Sequence, residues 1–372
     1  MLRPRNLRLI FLSAVLFVSA AILIARENRP SFLKPGLKLC AYVSTDDGAV
    51  TVVDLIRLAP VARVAVSGRV SGVSEHPTRA EVWGVSADGG YVWVLDAKTN
   101  QVAARIPAGA EPYAVTFSPD GARAYVAAAR GGAVSVIDCA ARKVIASARV
   151  GGEPVLAQAT PDGKTLLVLQ RAAAALEILD AETLAQRASV PVVEQPDEVA
   201  VLPDNTLAFV ASRSSERLSV VDLKRGVLLA HLDLGATPEQ MLLKPDGGEL
   251  YVLTPGIHGL LVINTETHEV VDFMLLGSAP SRGTLLRDAA GMYVSDTEAG
   301  RVAPVDVINR RVARPVQAGQ NPGASRLDPS ERLLLVANEG SGDLAVIRVS
   351  TNSLLTMIPV GNHPREIAVK LF

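Results

Sequence analysis

The sequence predicts an all-β fold built from eight copies of one 42-residue unit. Short segments of the form Val-x-Val-[Val/Ile/Leu] end on a position that recurs every 42 residues: Asp54, Asp96, Asp138, Asp180, Asp222, Asn264, Asp306 and Arg348. A column of prolines keeps the same spacing: Pro112, Pro154, Pro196, Pro238, Pro280, Pro322 and Pro364. Repeats of this length are typical of solenoids, propellers and other arrays.

The copy from Pro112 to Gly152 is the most regular, and it predicts four strands in order. These are residues 113–117, 123–129, 133–138 and 143–150, and the turn Ser118 to Gly121 separates the first two. Pro and Gly favour a tight turn there, and the Asp that closes the third strand can accept backbone hydrogen bonds as an Asx-turn. A four-stranded antiparallel unit of this length is one blade of a β-propeller.

The two ends of the chain predict how the ring closes. The repeats begin inside a copy, at the second-strand segment 39–44, and they end with the first-strand segment 365–372. Because an open stack of blades would leave bare edges, we expect the C-terminal strand to complete the N-terminal blade. This gives eight blades in residues 37–372. Seven is the alternative if the irregular first copy, where Val70 replaces the column proline, forms no blade.

The N-terminus predicts export. Arg3, Arg5 and Arg8 precede an uncharged, apolar run from Leu9 to Ala25. We interpret residues 1–26 as a signal peptide or an N-terminal membrane anchor, and residues 27–36 as a short tether. The expected location is therefore extracytoplasmic, in the periplasm or at the cell surface.

Composition excludes several function classes. A net charge of -1 gives no electrostatic basis for binding nucleic acid. The two cysteines, Cys40 and Cys139, stand at different phases of the repeat, and no Cys-x-x-Cys-His haem-attachment motif occurs. There is also no Gly-x-Ser-x-Gly nucleophile motif. These absences favour a protein that is not an enzyme.

Several strand segments resemble the signature of YVTN-family β-propeller repeats. They are "YVAA" (125–128), "FVAS" (209–212), "YVLT" (251–254), "YVSD" (293–296), "LVAN" (335–338) and "VSVID" (134–138). The resemblance implies a propeller. The family includes surface-layer and exported proteins, and it is similar to propellers of lactonases, quinoprotein dehydrogenase subunits and d-type haem proteins. Its members are usually described with seven blades, so eight would be a departure.

Positions that vary between copies are candidates for a binding site, because the invariant positions build the blades. The two positions after the column proline include Tyr113, Asp197, Glu198, Glu239, Arg282 and Arg365. Carboxylates on neighbouring blades suit Ca²⁺, which prefers oxygen ligands, or a basic partner. Alternatively, Asp197, Glu198 and Glu239 pair with Arg282 or remain solvated loop charges.

The loops between second and third strands supply a second group of candidates. Arg130, Arg171 and Arg213 stand on consecutive blades, and such an arc of arginines suits a carboxylate or phosphate ligand. His258 and His363 are the histidines that we expect nearest the channel mouth, where either is a candidate axial haem ligand or base. Ordinary solvated loop residues are the alternative for both sets.

Three functional hypotheses remain. The first is a non-catalytic scaffold that binds an unidentified protein or small molecule of the cell envelope through its loop-rich face, with no cofactor. The second is a periplasmic redox-associated propeller that holds a quinone or a d-type haem. The third is a lactonase-like hydrolase. Fold alone does not choose between them.

Overall fold

The computed structural model describes residues 36–66 and 68–372. The chain divides into two units, Met1–Lys38 and Leu39–Phe372, and all the strands described here belong to the second. The proposed signal or anchor (1–26) lies outside the described residues, as does all of the tether (27–36) except Gly36. In the part that is described, no helix is both long and apolar enough to cross a membrane.

The strands form eight antiparallel sheets, one per blade. Blade 1 contains β1 Leu39–Thr45, β2 Ala49–Asp54 and β3 Ala59–Ala65, and blade 2 contains β4 Val70–Glu75, β5 Glu81–Ser86, β6 Tyr91–Asp96 and β7 Gln101–Pro107. Blade 3 contains β8 Pro112–Phe117, β9 Arg123–Ala128, β10 Ala133–Asp138 and β11 Lys143–Arg149, and blade 4 contains β12 Pro154–Ala159, β13 Thr165–Gln170, β14 Ala175–Asp180 and β15 Gln186–Pro191. Blade 5 contains β16 Glu198–Val201, β17 Leu207–Ala211, β18 Arg217–Asp222 and β19 Val227–Asp233, and blade 6 contains β20 Gln240–Leu243, β21 Glu249–Thr254, β22 Gly259–Asn264 and β23 Glu269–Leu275. Blade 7 contains β24 Pro280–Leu285, β25 Gly291–Asp296, β26 Arg301–Asp306, β27 Arg311–Val312 and β28 Val316–Gln317, and blade 8 contains β29 Pro322–Leu327, β30 Leu333–Asn338, β31 Asp343–Arg348 and β32 Ser353–Pro359. The last strand, β33 Pro364–Leu371, returns to blade 1.

Strand β33 is the innermost strand of blade 1, so the prediction of an eight-bladed all-β propeller closed by its C-terminal strand is confirmed. It pairs antiparallel with β1, with Leu371 opposite Leu39 and Ile367 opposite Val43. The irregular copy that begins at Val70 does form a blade, the second, and the seven-bladed alternative is therefore wrong.

The predicted Asx-turns are present between third and fourth strands. Asp96 Oδ1, for example, accepts the backbone N–H groups of Lys98 (2.7 Å) and Thr99 (3.0 Å), and Asn264 does the same in its copy. Arg348 has no acceptor to offer, and the chain there forms a 3₁₀ turn, Val349–Thr351, instead.

Blade 7 departs from the repeat at its outer edge. Its fourth strand is split into β27 and β28, because Pro315 lies between them and has no N–H to donate to the ladder. The sequence pattern predicts one continuous fourth strand in each blade. In blade 7 that prediction is wrong for this strand, although the blade itself is present.

Buried side chains fill the seams between adjacent blades, and the innermost strands line a central channel. In one seam Phe209 and Leu218 of blade 5 pack against Leu250, Val252 and Ile263 of blade 6. On these innermost strands the second position after the column proline is partly exposed in each blade, and so is the fourth except in blade 1, where Ala368 is buried. We call these two positions the upper and lower tiers of the channel. The upper tier is Gly72, Ala114, Leu156, Glu198, Gln240, Arg282, Ala324 and Glu366.

Candidate functional site

A cavity of about 1000 Å³ opens at one end of the channel, and we call it the mouth cavity. Two kinds of loop build it, those that connect blades and those between second and third strands, together with the ends of the innermost strands. Its lining comprises Asp46, Arg69, Val70, Ser71, Gly72, Ala87, Asp88, Glu111, Pro112, Tyr113, Ala114, Ala129, Glu153, Arg171, Asp197, Arg213, Arg282, Arg365 and Glu366.

The floor of the mouth cavity is uneven because the upper tier is. Blades 2 and 3 contribute Gly72 and Ala114, which leave room. Blade 7 contributes the long side chain of Arg282, whereas Glu198 and Gln240 of blades 5 and 6 lie outside the cavity lining. A Cβ on Gly72 would lie 3.3 Å from the Cα atom of Ala114, and its φ of +64° also disfavours any larger residue. The space therefore lies to one side of the channel axis, over blades 2 and 3.

Most arginines of the mouth cavity are already paired. Glu111 contacts Arg130 at 2.8 Å and Arg69 at 3.9 Å. Arg365 holds Asp46 through two hydrogen bonds of 3.0 Å and Glu339 through one of 2.8 Å. These pairs are partly exposed, so each contributes little to stability, but together they fix the loops around the mouth.

Glu239 occupies the centre of another charged cluster, beside Arg213 (3.2 Å) and Arg282 (3.6 Å), while Asp197 lies 3.8 Å from Arg213. The sequence left open whether these carboxylates bind Ca²⁺, bind a basic partner or pair with Arg282. The ion pairs favour the last interpretation. Within residues 36–66 and 68–372, no cluster of three His, Cys, Asp or Glu side chains is arranged to hold a metal ion.

Arg171 differs from its neighbours. Its guanidinium carbon lies 5.3 Å from the centroid of the Tyr113 ring, and no carboxylate among the described residues forms an ion pair with it. Tyr113 itself is 39% exposed and lines the mouth cavity. The pair offers a flat apolar surface with a cation beside it, the combination that binds planar anionic ligands.

Two carboxyl groups in the upper tier, Glu198 and Glu366, have pKa values above the ordinary value for glutamate. Burial raises the pKa of Glu198 to about 7, although the Met241 N–H group (2.9 Å) and the nearby Arg282 and Arg213 favour its ionised form. Burial likewise raises the pKa of Glu366, against the charges of Arg282, Arg326 and Arg213. Both groups face the channel, so their protonation changes the charge that a ligand in the channel meets.

The structure brings six of the predicted candidates to the mouth cavity as lining residues: Tyr113, Asp197, Arg282, Arg365, Arg171 and Arg213. Glu198 and Glu239 do not line the cavity; Glu239 forms ion pairs with Arg213 and Arg282 of that group, and the charges of the same two arginines act on Glu198. Arg130 stands on the rim, 82% exposed and directed to Glu111, so only two members of the predicted arginine arc line the cavity.

Neither predicted histidine lines the mouth cavity. His258 ends a 3₁₀ turn and its Nδ1 atom contacts the Ser278 carbonyl, in a shallow surface depression with Glu298 and Arg301. His363 is exposed and takes a left-handed backbone conformation (φ 46°) before Pro364. The same turn recurs at Glu111 and Glu153, which indicates that this position shapes the loop.

Sequence reasoning missed several lining residues. Arg69, Asp88, Glu111 and Glu153 all lie on the rim. Glu111 and Glu153 immediately precede a column proline, and a comparison of that position between copies would have found them. Arg69 and Asp88 belong to the irregular copy, where the repeat gives no frame for comparison.

Comparisons with known proteins agree with the fold. Residues 82–214 match the model of the family "Cytochrome D1 heme domain". Among curated proteins, none matches the chain in sequence. The solved structure "Dihydro-heme d1 dehydrogenase NirN in complex with DHE" is 18% identical, with a TM-score of 0.77, and the alignment covers 91% of this chain and 76% of that one. A second, "Kuenenia stuttgartiensis Hydrazine Synthase", is 20% identical, with a TM-score of 0.60, and covers 75% of this chain and 95% of that one.

These matches support the propeller part of the resemblance seen in the sequence, but none of them is to the YVTN family. At such low identities the solved structures establish a common architecture and no more. The family match is a separate finding, and it covers β5 to β17 and the loops between them, from blade 2 to blade 5. The chain is thus a β-propeller that is similar, over part of its length, to the cytochrome d1 haem domain.

Proposed function

We propose that this protein is an exported propeller that binds a d-type haem, or a closely related tetrapyrrole, in the mouth cavity. The cytochrome d1 haem match supports this proposal because residues 82–214 supply more than half of the lining of that cavity. The structural similarity to a dihydro-haem d1 dehydrogenase points in the same direction. The predicted scaffold without a cofactor has no comparable support.

The observation that carries the proposal is the pair Tyr113 and Arg171 at the roomy side of the cavity. A volume of about 1000 Å³ lies at the upper end of the range for small-molecule sites. Gly72 and Ala114 leave space beside the Tyr113 ring, and Arg171 has no carboxylate partner among the described residues. A flat macrocycle with carboxylate side chains fits such a surface, with its ring over Tyr113 and a carboxylate on Arg171.

The lining residues suit contacts with the ring and carboxylates of a haem better than ligation of its iron. The mouth cavity has no His, Cys or Met among its described lining residues, and Tyr113 is its only side chain of a type that ligates haem iron. When bound, a d-type haem would supply redox chemistry, and the protein would supply orientation and charge. Six carboxyl groups of the described residues also line the cavity, and because none of them forms an ion pair with Arg171, this arginine is the one most accessible to a ligand carboxylate.

Titration of the purified full-length chain with a d-type haem tests the proposal. We expect a saturable change in visible absorbance with one site per chain. Arg171→Gln removes one charge-assisted hydrogen bond and should weaken binding by about tenfold or more. Tyr113→Phe keeps the ring and removes the phenol, and so separates stacking from ligation of the iron.

Arg187→Gln is the matched control, because Arg187 pairs with Asp180 away from the mouth cavity. It should bind as tightly as the unmodified protein. Equal affinity of the Arg171→Gln variant, or no saturable binding at all, would contradict the proposal. Repeating the titration with the iron-free macrocycle shows whether affinity depends on the metal.

A further inference from the structure

A second, smaller cavity of about 290 Å³ lies deeper in the channel, and we call it the inner cavity. Blades 6, 7, 8 and 1 line it through Gln240, Leu242, Arg282, Gly283, Thr284, Leu285, Ala324, Ser325, Arg326, Glu366 and Ile367. Arg282 and Glu366 belong to the linings of both cavities, so they stand between them. The inner cavity is too small for a tetrapyrrole and has the size of a site for a small ion or metabolite.

Arg326 is the most informative residue of the inner cavity. It is the lower-tier residue of blade 8, and its side chain is exposed in the channel, where it lines the inner cavity. Its Nε atom donates to the Ile367 carbonyl at 3.2 Å, which fixes the guanidinium group against the channel wall. No carboxylate among the described residues forms an ion pair with Arg326, so its two terminal nitrogens remain available to a ligand.

Arg282 brings a second guanidinium group to the same cavity. Its ion pair with Glu239 is long, at 3.6 Å, and therefore weak. The amide of Gln240 is occupied, because its Oε1 atom accepts the Gly283 N–H group at 2.7 Å. The Thr284 and Ser325 hydroxyls lie 2.8 Å apart on the wall and add polar hydrogen-bonding groups.

Among the residues that the structure describes, Glu366 is the one whose carboxyl group lines the inner cavity. Burial raises its pKa, and Glu339 acts in the same direction, while Arg282, Arg326 and Arg213 oppose the shift. An anion beside it would favour the protonated form further, and that form can donate a hydrogen bond to the anion. Two arginines beside a single carboxyl group make the site net cationic even when that group is ionised.

We propose that the inner cavity binds a small oxyanion, a monocarboxylate or inorganic phosphate, between Arg282 and Arg326. Guanidinium groups bind both anions through paired hydrogen bonds, so the chemistry of recognition is shared. The site is separate from the tetrapyrrole proposal, because Arg326, Thr284 and Ser325 do not line the mouth cavity.

Calorimetric titration of the purified full-length chain with acetate, and separately with phosphate, tests this site. We expect saturable binding of at least one of them. Arg326→Gln should weaken it by about tenfold to a hundredfold, because a charge-assisted contact is lost. Glu366→Gln removes a negative charge instead of a positive one, and should therefore tighten anion binding severalfold. Saturation by acetate alone identifies a monocarboxylate site, and saturation by phosphate alone identifies a phosphate site.

The proposal is overturned if neither anion saturates, or if Arg326→Gln binds as tightly as the unmodified chain while retaining its melting temperature. Arg171→Gln provides the separation from the haem proposal, since it should lose tetrapyrrole affinity and keep anion affinity. Arg326→Gln should instead lose anion affinity and keep tetrapyrrole affinity. The two proposals can therefore be contradicted independently.

Discussion

Glu198 shows how one residue position serves two purposes in neighbouring blades. Its Oε2 atom accepts the N–H group of Met241 on the next blade at 2.9 Å. Gln240, one repeat later, makes the equivalent contact with the Gly283 N–H group at 2.7 Å. A neutral amide is therefore sufficient for the structural contact, and the carboxyl group of Glu198 adds only a charge, which burial disfavours.

Replacing Glu198 by Gln should therefore stabilise the protein at alkaline pH. The folded pKa of about 7 exceeds the ordinary value of 4.5, so the folded state binds more protons than the unfolded state between these values. Stability then falls as pH rises through this window, and the full penalty is present above pH 7. We expect Glu198→Gln to gain about 3 kcal/mol at about pH 8 and nothing at about pH 4.

Urea unfolding of both proteins at the two pH values measures this difference. Gln240→Glu, the reverse change at the equivalent position, is the matched variant and should lose stability at about pH 8. A gain for Glu198→Gln that is the same at both pH values would show that the charge of Glu198 is not its cause.

At the scale of elements, one kind of contact recurs in several of the seams between blades. An aromatic residue in a second strand meets the left-handed residue of the next blade's outer hairpin, as Tyr293 does when it donates a 2.6 Å hydrogen bond to Asn352 Oδ1. Tyr251 and Arg310 make the same contact one blade earlier, with the guanidinium carbon 5.9 Å from the ring centroid. Trp83 takes the aromatic position in blade 2.

The seam at Trp83 contains a buried polar network that a substitution can break. Glu81, whose side chain is 8% exposed, accepts the Trp83 Nε1–H group at 2.9 Å and holds Arg142 at 2.8 Å. Glu81→Ala leaves the indole N–H without an acceptor in the fully buried ring, and should cost about 2–4 kcal/mol. Glu81→Gln keeps an acceptor for Trp83, so its cost should be about 1 kcal/mol.

Chemical unfolding that follows tryptophan fluorescence distinguishes the two variants of Glu81. The expected order is unmodified, Glu81→Gln and then Glu81→Ala, from most to least stable. If the two variants are equally stable, the hydrogen bond to Trp83 contributes nothing, and the seam depends on apolar packing alone.

The repeat predicted these elements wherever it remained regular. Strands, turns and Asx-hairpins follow from residues that satisfy local backbone geometry, such as Asp96 and Gly121, and local geometry can be read from local sequence. The break at Pro315 has the same local cause and was readable in principle. The 3₁₀ turn after Arg348 could not be predicted, because the absence of an Asp or Asn side chain excludes an Asx-turn but does not indicate which turn forms instead.

For the whole molecule, closure of the ring was predictable and the site was predictable only in part. The phase of the two chain ends required the pairing of β33 with β1. Which charges meet at the mouth depends on loop paths and on ion pairs such as Arg365 with Asp46, which are 319 residues apart. The repeat carries no information about that choice. His258 illustrates the limit, since its loop class was identified correctly and its side chain still contacts Ser278 rather than the cavity.

The closing strand contributes contacts on every side. Ile367 and Ala368 are buried, Arg365 joins Asp46 and Glu339 across the mouth, and the Lys370 ammonium group donates to the His76 carbonyl of blade 2. Strand β33 lies against β29 of blade 8 on one side and β4 of blade 2 on the other. Its removal would therefore open two seams as well as one sheet edge.

Deleting residues 365–372 should consequently lower the melting temperature by about 10 °C or more, or cause aggregation through the exposed edge of β1. Adding the missing segment as a separate peptide should restore part of the lost stability, because it supplies the same hydrogen bonds without the covalent link. Arg365→Ala is the milder control, since it removes only exposed ion pairs and keeps the strand. Scanning calorimetry measures all three. Cooperative melting of the truncated chain at the parent temperature would mean that seven complete blades and a three-stranded remnant hold the ring unaided.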